Sequence, residues 1–202
     1  MKRTPQYFRR ESIKEVFNKI LKNETTVLRP SFINILEDPL KEDYTLTSFK
    51  YNDSSLGLVS VSESRGRGFV DSLFKGLYDQ FVTDYPSLET LTLRDLQVNP
   101  LMASRRASIG TDAMVSISLL IEVKKHGKAE FHHESHSVIS SVFSAALDVF
   151  QFYINCERCF NKIQLIIQDA ASRNRADIIE GCKFDLSKLT EVNSYEKGKK
   201  KH

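Results

Sequence analysis

Tryptophan is absent, and only three cysteines, five prolines and eight glycines occur in 202 residues. A sparse, odd cysteine set excludes the disulfide framework that staples small secreted domains. A dominant charge is also missing: 29 basic against 26 acidic residues leave a formal net charge of +3. Much of that excess sits in the terminal runs "MKR", "FRR" and "KGKKKH", which read as solvated tails. With no aromatic-basic stripe and no reader motif, no nucleic-acid partner is expected. The opening "MKRTPQYFRRESIKE" has no apolar core after its basic residues, so no signal peptide is expected. The nearly apolar stretches are expected to fall short of a membrane span. These absences together predict a soluble, cytoplasmic protein with no membrane partner.

What is present is an ordinary globular composition, 41% hydrophobic and 27% charged. It suits one compact domain with appendages, or two small ones. Residues 10 to 22, "RESIKEVFNKILK", space Ile13, Val16, Phe17, Ile20 and Leu21 as an amphipathic helix. Three β-like runs follow, "TVLRPSFINIL", "YTLTSFKY" and "LGLVSVS", with "NDSS" as the turn between the last two. The stretch "RGRGFVDSLFKGL" then opens a helix with Val70, Leu73, Phe74, Leu77 and Phe81 on one stripe, and Pro86 as its stop.

A second series repeats that order. "LETLTLRDLQV" alternates Leu91, Leu93, Leu96 and Val98 with one slip at Arg94-Asp95, which predicts a bulge. The loop "NPLMASRRASIG" leads to a strand on which Ala113, Val115, Ile117, Leu119, Ile121 and Val123 share a face, with Ser116, Ser118 and Glu122 opposite. "AEFHHE" is a third strand after the turn "KKHGK". A long helix starts near Ser137, with Ile139, Val142, Phe143, Ala146, Val149, Phe150, Tyr153 and Ile154 on its buried side. The fold class is therefore α+β, mainly antiparallel, with two βββα units. Packing them about an approximate twofold covers both sheet faces and leaves a crevice for a small ligand. The expected division is an N-terminal helical extension over 1–24, a central domain over 25–156 made of units 25–86 and 87–156, and a C-terminal helical extension with a basic tail over 157–202. Past Asn155 the spacing of Phe160, Ile163, Ile166 and Ile167 fits an extension of the long helix, a further helix packed on the first, or pairing with a partner subunit.

At the glycine corner, Gly66 and Gly68 allow close approach of the backbone, and the helix start after them presents N–H groups suited to a carboxylate. Arg67 either reinforces that anion site or is simply solvated. The corner lacks the third glycine of a dinucleotide fingerprint and the Gly-Lys-Ser/Thr of a P-loop, so neither is expected.

In order, "GRGFVDSLFKGL", "SLETLTLRDL", "GTDAMVSISLLIEVKKHGK" and "FSAALDVFQFYIN" resemble the motifs of the regulatory domain of 2-isopropylmalate synthase, which citramalate synthases share. The resemblance covers roughly residues 26 to 156. It implies a domain of two βββα units that forms a homodimer and binds leucine or isoleucine as a feedback inhibitor, acting on a synthase catalytic subunit. The barrel that catalyses acetyl-CoA condensation in those enzymes is absent from this sequence, as are its Asp-Gly-x-Arg and His-x-His signatures. A non-catalytic, free-standing module without a cofactor is expected; the alternative is a dimerisation or scaffold protein that has lost the pocket. The resemblance places Val70 and Asp71 beside the ligand, and Leu88, Leu91, Ala113 and Val115 in its apolar wall. Read from the residues alone, those four are core packing, and Asp71 equally stabilises the helix start through the helix dipole, worth about 0.3–1 kcal/mol. Phe69 stands where the family has proline, Leu91 where it has tyrosine, Ala146 where it has serine, and "FHHESHS" where it has glycines.

Other constellations carry less. His132, His133 and His136 straddle a strand end and a helix start, which favours a surface cluster over a metal site. Cys156 and Cys159 have CxxC spacing without a second pair or a thioredoxin-like context. "RRAS" at 105–108 resembles a kinase target as many loops do, and no nucleophile elbow is present.

Overall fold

Period-two alternation and helical spacing are both realised in the computed structural model, which describes residues 10–38, 40–41, 44–101 and 114–195. Helix α1 (Arg10–Ile20) is followed by strands β1 (Leu28–Glu37), β2 (Thr45–Asp53) and β3 (Gly57–Gly66), then helix α2 (Phe69–Phe81). A short 3₁₀ segment, Pro86–Thr90, leads into β4 (Leu91–Leu101), β5 (Met114–Val123) and β6 (Lys128–Ser135). Helices α3 (Val138–Ser172) and α4 (Ala176–Val192) complete the described chain. The protein is α+β: four helices and two three-stranded antiparallel sheets, ordered β1-β2-β3 and β4-β5-β6, among the described residues.

Each sheet has one buried face. In β2, Thr45, Thr47, Phe49, Tyr51 and Asp53 are buried while Lys50 and Asn52 face solvent. In β5, Ile117, Leu119, Ile121 and Val123 are buried on the face opposite Glu122. The register of β4 on β5 slips between Leu93 and Asp95, so Arg94 is the bulge foreseen at Arg94-Asp95. A second slip, between Pro30 and Phe32, falls on the edge strand β1, where a proline without an N–H costs least. Strand β4 runs on to Leu101 and thus takes in Asn99 and Pro100, which the sequence assigned to a loop. Residues 102–113, including "RRAS" and Ala113, lie outside the described residues.

Helix α2 packs on β2 and β3, and α3 packs on β5, β6 and β1. An aromatic seam joins them. The Phe74 and Phe150 rings are 5.8 Å apart, Phe81 and Phe150 6.1 Å, and Phe49 and Phe143 5.4 Å. Each such pair adds about 0.5–1.5 kcal/mol beyond the area it buries. Gly76 lets α2 sit directly on the sheet, since a Cβ there would lie 2.9 Å from the Phe49 ring. On α3, the Asn155 amide clamps the entry to β1: Thr26 N–H donates to Oδ1 at 2.9 Å, and Nδ2 donates to the Thr26 carbonyl at 2.8 Å.

Helix α3 runs unbroken through Asn155, and its 35 residues are enough in length and composition to cross a membrane, contrary to the sequence expectation. Most of that apolar window is buried inside the fold, because α3 is the element on which both sheets and three helices converge. Ile139, expected on the buried side, is exposed in the first turn, ahead of the sheet that covers the rest. Lys19 Nζ and the buried Asp185 carboxylate, 2.6 Å apart, tie α1 to α4. At the end of α4, Asn193 Nδ2 donates to the Ser87 carbonyl at 3.0 Å and its Oδ1 accepts from Thr90 Oγ1 at 2.9 Å. The 3₁₀ segment carrying Leu88 is thereby held from behind.

Candidate functional site

Between α2 and β4 the fold leaves an apolar cleft of about 300 Å³. Phe74, Lys75 and Tyr78 line it from α2, Leu88 from the 3₁₀ segment, and Leu91, Thr92 and Leu93 from β4. Ile121 of β5 and Val149 and Phe150 of α3 close its back. The walls follow from pattern. Leu91 and Leu93 share the inward face of β4, opposite Val123 and Ile121, while Phe74 and Tyr78 are one helical turn apart.

The polar groups lie at the edge. Lys75 Nζ donates to Asp71 Oδ2 at 2.8 Å, and the Arg67 backbone N–H donates to the same oxygen at 3.0 Å. The Lys75 hydrogen bond, helped by the Arg67 N–H and opposed by slight burial, holds the Asp71 carboxyl below its usual range. Burial, with the charges of Glu89 and Asp79, pushes the Tyr78 phenol up from an ordinary value that already leaves it a hydrogen-bond donor at neutral pH. The cleft thus offers an apolar body with an ammonium, a carboxylate and a hydroxyl beside it.

The expected site residues separate into three places. Leu88 and Leu91 line the cleft. Val70 packs against the core one turn before Phe74, and Asp71 reaches the cleft through Lys75. Gly66, Arg67 and Gly68 form the corner behind that turn. Gly66 serves close packing within the chain itself, because a Cβ there would lie 2.4 Å from Ser72 N and 2.8 Å from Asp71 Oδ2. Gly68 faces open space and is the N-cap of α2 in extended conformation. Val115 is remote: it pairs with Pro100, whereas Leu91 pairs with Val123, about 27 Å away at 3.4 Å per residue. Ala113 lies outside the described residues. Sequence reading passed over Lys75, Tyr78, Leu93, Val149 and Phe150 as site residues. The one available signal was the helical spacing that put Phe74 on the stripe of Val70.

The histidines point different ways. His132 lies on the outward face of β6, within 3.5 Å of Glu130, and His133 on the inward face opposite Ile117. Among the described residues no group of three or more His, Cys, Asp or Glu side chains is placed to hold a metal ion. All three cysteines are buried free thiols. Burial pushes the Cys156 thiol far up and Cys159 up to about 12, which keeps both from acting as thiolates. Compared with descriptions of known protein families, the chain matches none, and no curated protein is significantly similar to it.

Proposed function

We propose that this chain is a non-catalytic, cytoplasmic regulatory module that binds a small amphipathic amino acid or 2-oxo acid, of the leucine or isoleucine class, in the cleft between α2 and β4. The cleft carries the reading, because it pairs an apolar wall of branched-chain size with the Lys75–Asp71 ammonium and carboxylate at its edge. A zwitterion lying there sets its side chain against Leu88, Leu91 and Phe150 and its charged groups toward Lys75 and Asp71. The strand-strand-strand-helix order, occurring twice, supports two βββα units related by an approximate twofold, as in the 2-isopropylmalate synthase regulatory domain that the motifs resemble. Because α2 and β4 belong to different units, a ligand between them favours one packing of the units, and a synthase partner reads that packing.

A second reading, a homodimerising scaffold, draws on sheet β1-β2-β3. Phe32, Leu36 and Leu58 lie on its outward face, each more than half exposed, an apolar patch suited to a second copy. Thermal melts with leucine, isoleucine, valine and their 2-oxo acids separate the two. A ligand at 100 times its Kd raises stability by about 2.7 kcal/mol. No shift with any of them at millimolar concentration contradicts the sensor, and light scattering then reads the dimer by itself.

A further inference from the structure

A second cavity, of about 380 Å³, opens on the other side of α3, between α1 and β6. Its size is in the range of ligand clefts, and its chemistry is the reverse of the apolar cleft. Arg10 and Lys14, one turn apart on α1, both line it. Among the described residues, neither has a carboxylate within ion-pair distance. The Arg10 guanidinium lies over the Phe131 ring at 4.3 Å, which pins its plane and leaves its N–H edge to the cavity. Asp148 lines the same cavity from α3, partly buried and without a hydrogen bond among the described residues. Burial pushes its carboxyl up, against the pull of His133, Arg10 and Lys14. His132 of β6 lines the cavity, while its neighbour His133, whose buried Nδ1 has no hydrogen-bond partner among the described residues, does not. Gln151 accepts from Leu28 N–H through Oε1 at 2.8 Å, which fixes its amide with the NH₂ left to the cavity.

Arg10 and Lys14 are thus brought to one cavity with Asp148, with no salt bridge joining them to a carboxylate among the described residues. Beside the His132 imidazole, which faces Glu130 at 3.5 Å, the charges presented are two positive and one negative. Their complement is a small molecule with two negative groups and one ammonium. We propose that this cavity binds an acidic α-amino acid. One carboxylate lies on Arg10 and Gln151, the other on Lys14, and the ammonium on Asp148. The site is independent of the apolar cleft and of the function proposed for it.

Equilibrium dialysis of the full chain with labelled L-glutamate tests it, with L-aspartate, glutarate and L-leucine as competitors. Glutamate or aspartate is expected to bind, and glutarate, which keeps both carboxylates and lacks the ammonium, about tenfold or more weaker. Lys14→Met, at an exposed position, should weaken glutamate about tenfold with the circular dichroism unchanged. Asp148→Asn should bring glutamate and glutarate to equal affinity, a change of preference that a purely structural residue does not produce. Leucine should not compete. Absence of glutamate and aspartate binding at millimolar concentration overturns the proposal, as does binding that both variants leave unchanged.

Discussion

At Gly66 and Gly68 two residues of one type in one corner do different work. The missing Cβ at Gly66 lets the first turn of α2 close onto β3, and the one at Gly68 leaves only open space. Gly66→Ala is therefore expected to cost about 1–3 kcal/mol through overpacking, and Gly68→Ala less than about 1 kcal/mol. Urea denaturation of the two variants checks the pair. Glu157 offers a second test. It is buried on α3 and accepts from Ser87 N–H at 3.1 Å. Burial raises its carboxyl above the ordinary value of 4.5, with the Ser87 hydrogen bonds pulling the other way. The native state therefore binds more protons than the unfolded chain just above that value. Stability contributed by this group falls as pH rises through the window and is recovered on acidification. Glu157→Gln, which keeps the acceptor and removes the charge, should flatten that part of the melting-temperature profile. Asp148 is raised by burial too and shifts stability in the same direction.

Among the elements, α3 carries the most, and its substitutions should be the most costly. Phe150 meets both Phe74 and Phe81 of α2, so Phe150→Ala is expected to lose about 3–5 kcal/mol. The buried cysteines on α3 and α4 should resist a thiol reagent in the native state and react once the chain is unfolded; rapid native labelling would contradict their placement. Much of this was legible beforehand, because local patterns fixed it. The alternation of Val115 to Val123 fixed the inward face of β5, the slip at Arg94 the bulge, and Ser137 the start of α3. The cleft was legible only in part. Leu88 and Leu91 belong to it, but Lys75 and Phe150 reach it through the angle at which α2 crosses α3, and no local pattern encodes that angle. The Lys19–Asp185 and Asn155–Thr26 contacts span 166 and 129 residues and have no local signature at all.

For the whole molecule, among the cavities of the described residues two of unlike chemistry lie on either side of one helix. The apolar cleft lies between α2 and β4, the charged cavity between α1 and β6. Its outer wall, α1, is tied to α4 by Lys19–Asp185, and α4 in turn grips the segment bearing Leu88 through Asn193. A continuous path of contacts therefore joins the two cavities by way of the C-terminal helix. Lys19→Met, which leaves the Asp185 carboxylate buried and unpaired, should destabilise by about 1–3 kcal/mol; chemical denaturation reads it. The most direct test of the central claim is methyl NMR of Leu, Ile and Val side chains during titration with leucine and isoleucine. Shifts concentrated on Leu88, Leu91, Leu93, Ile121 and Val149 are the expected result. Unchanged methyl signals up to millimolar ligand, or shifts confined to residues outside the cleft, would contradict it.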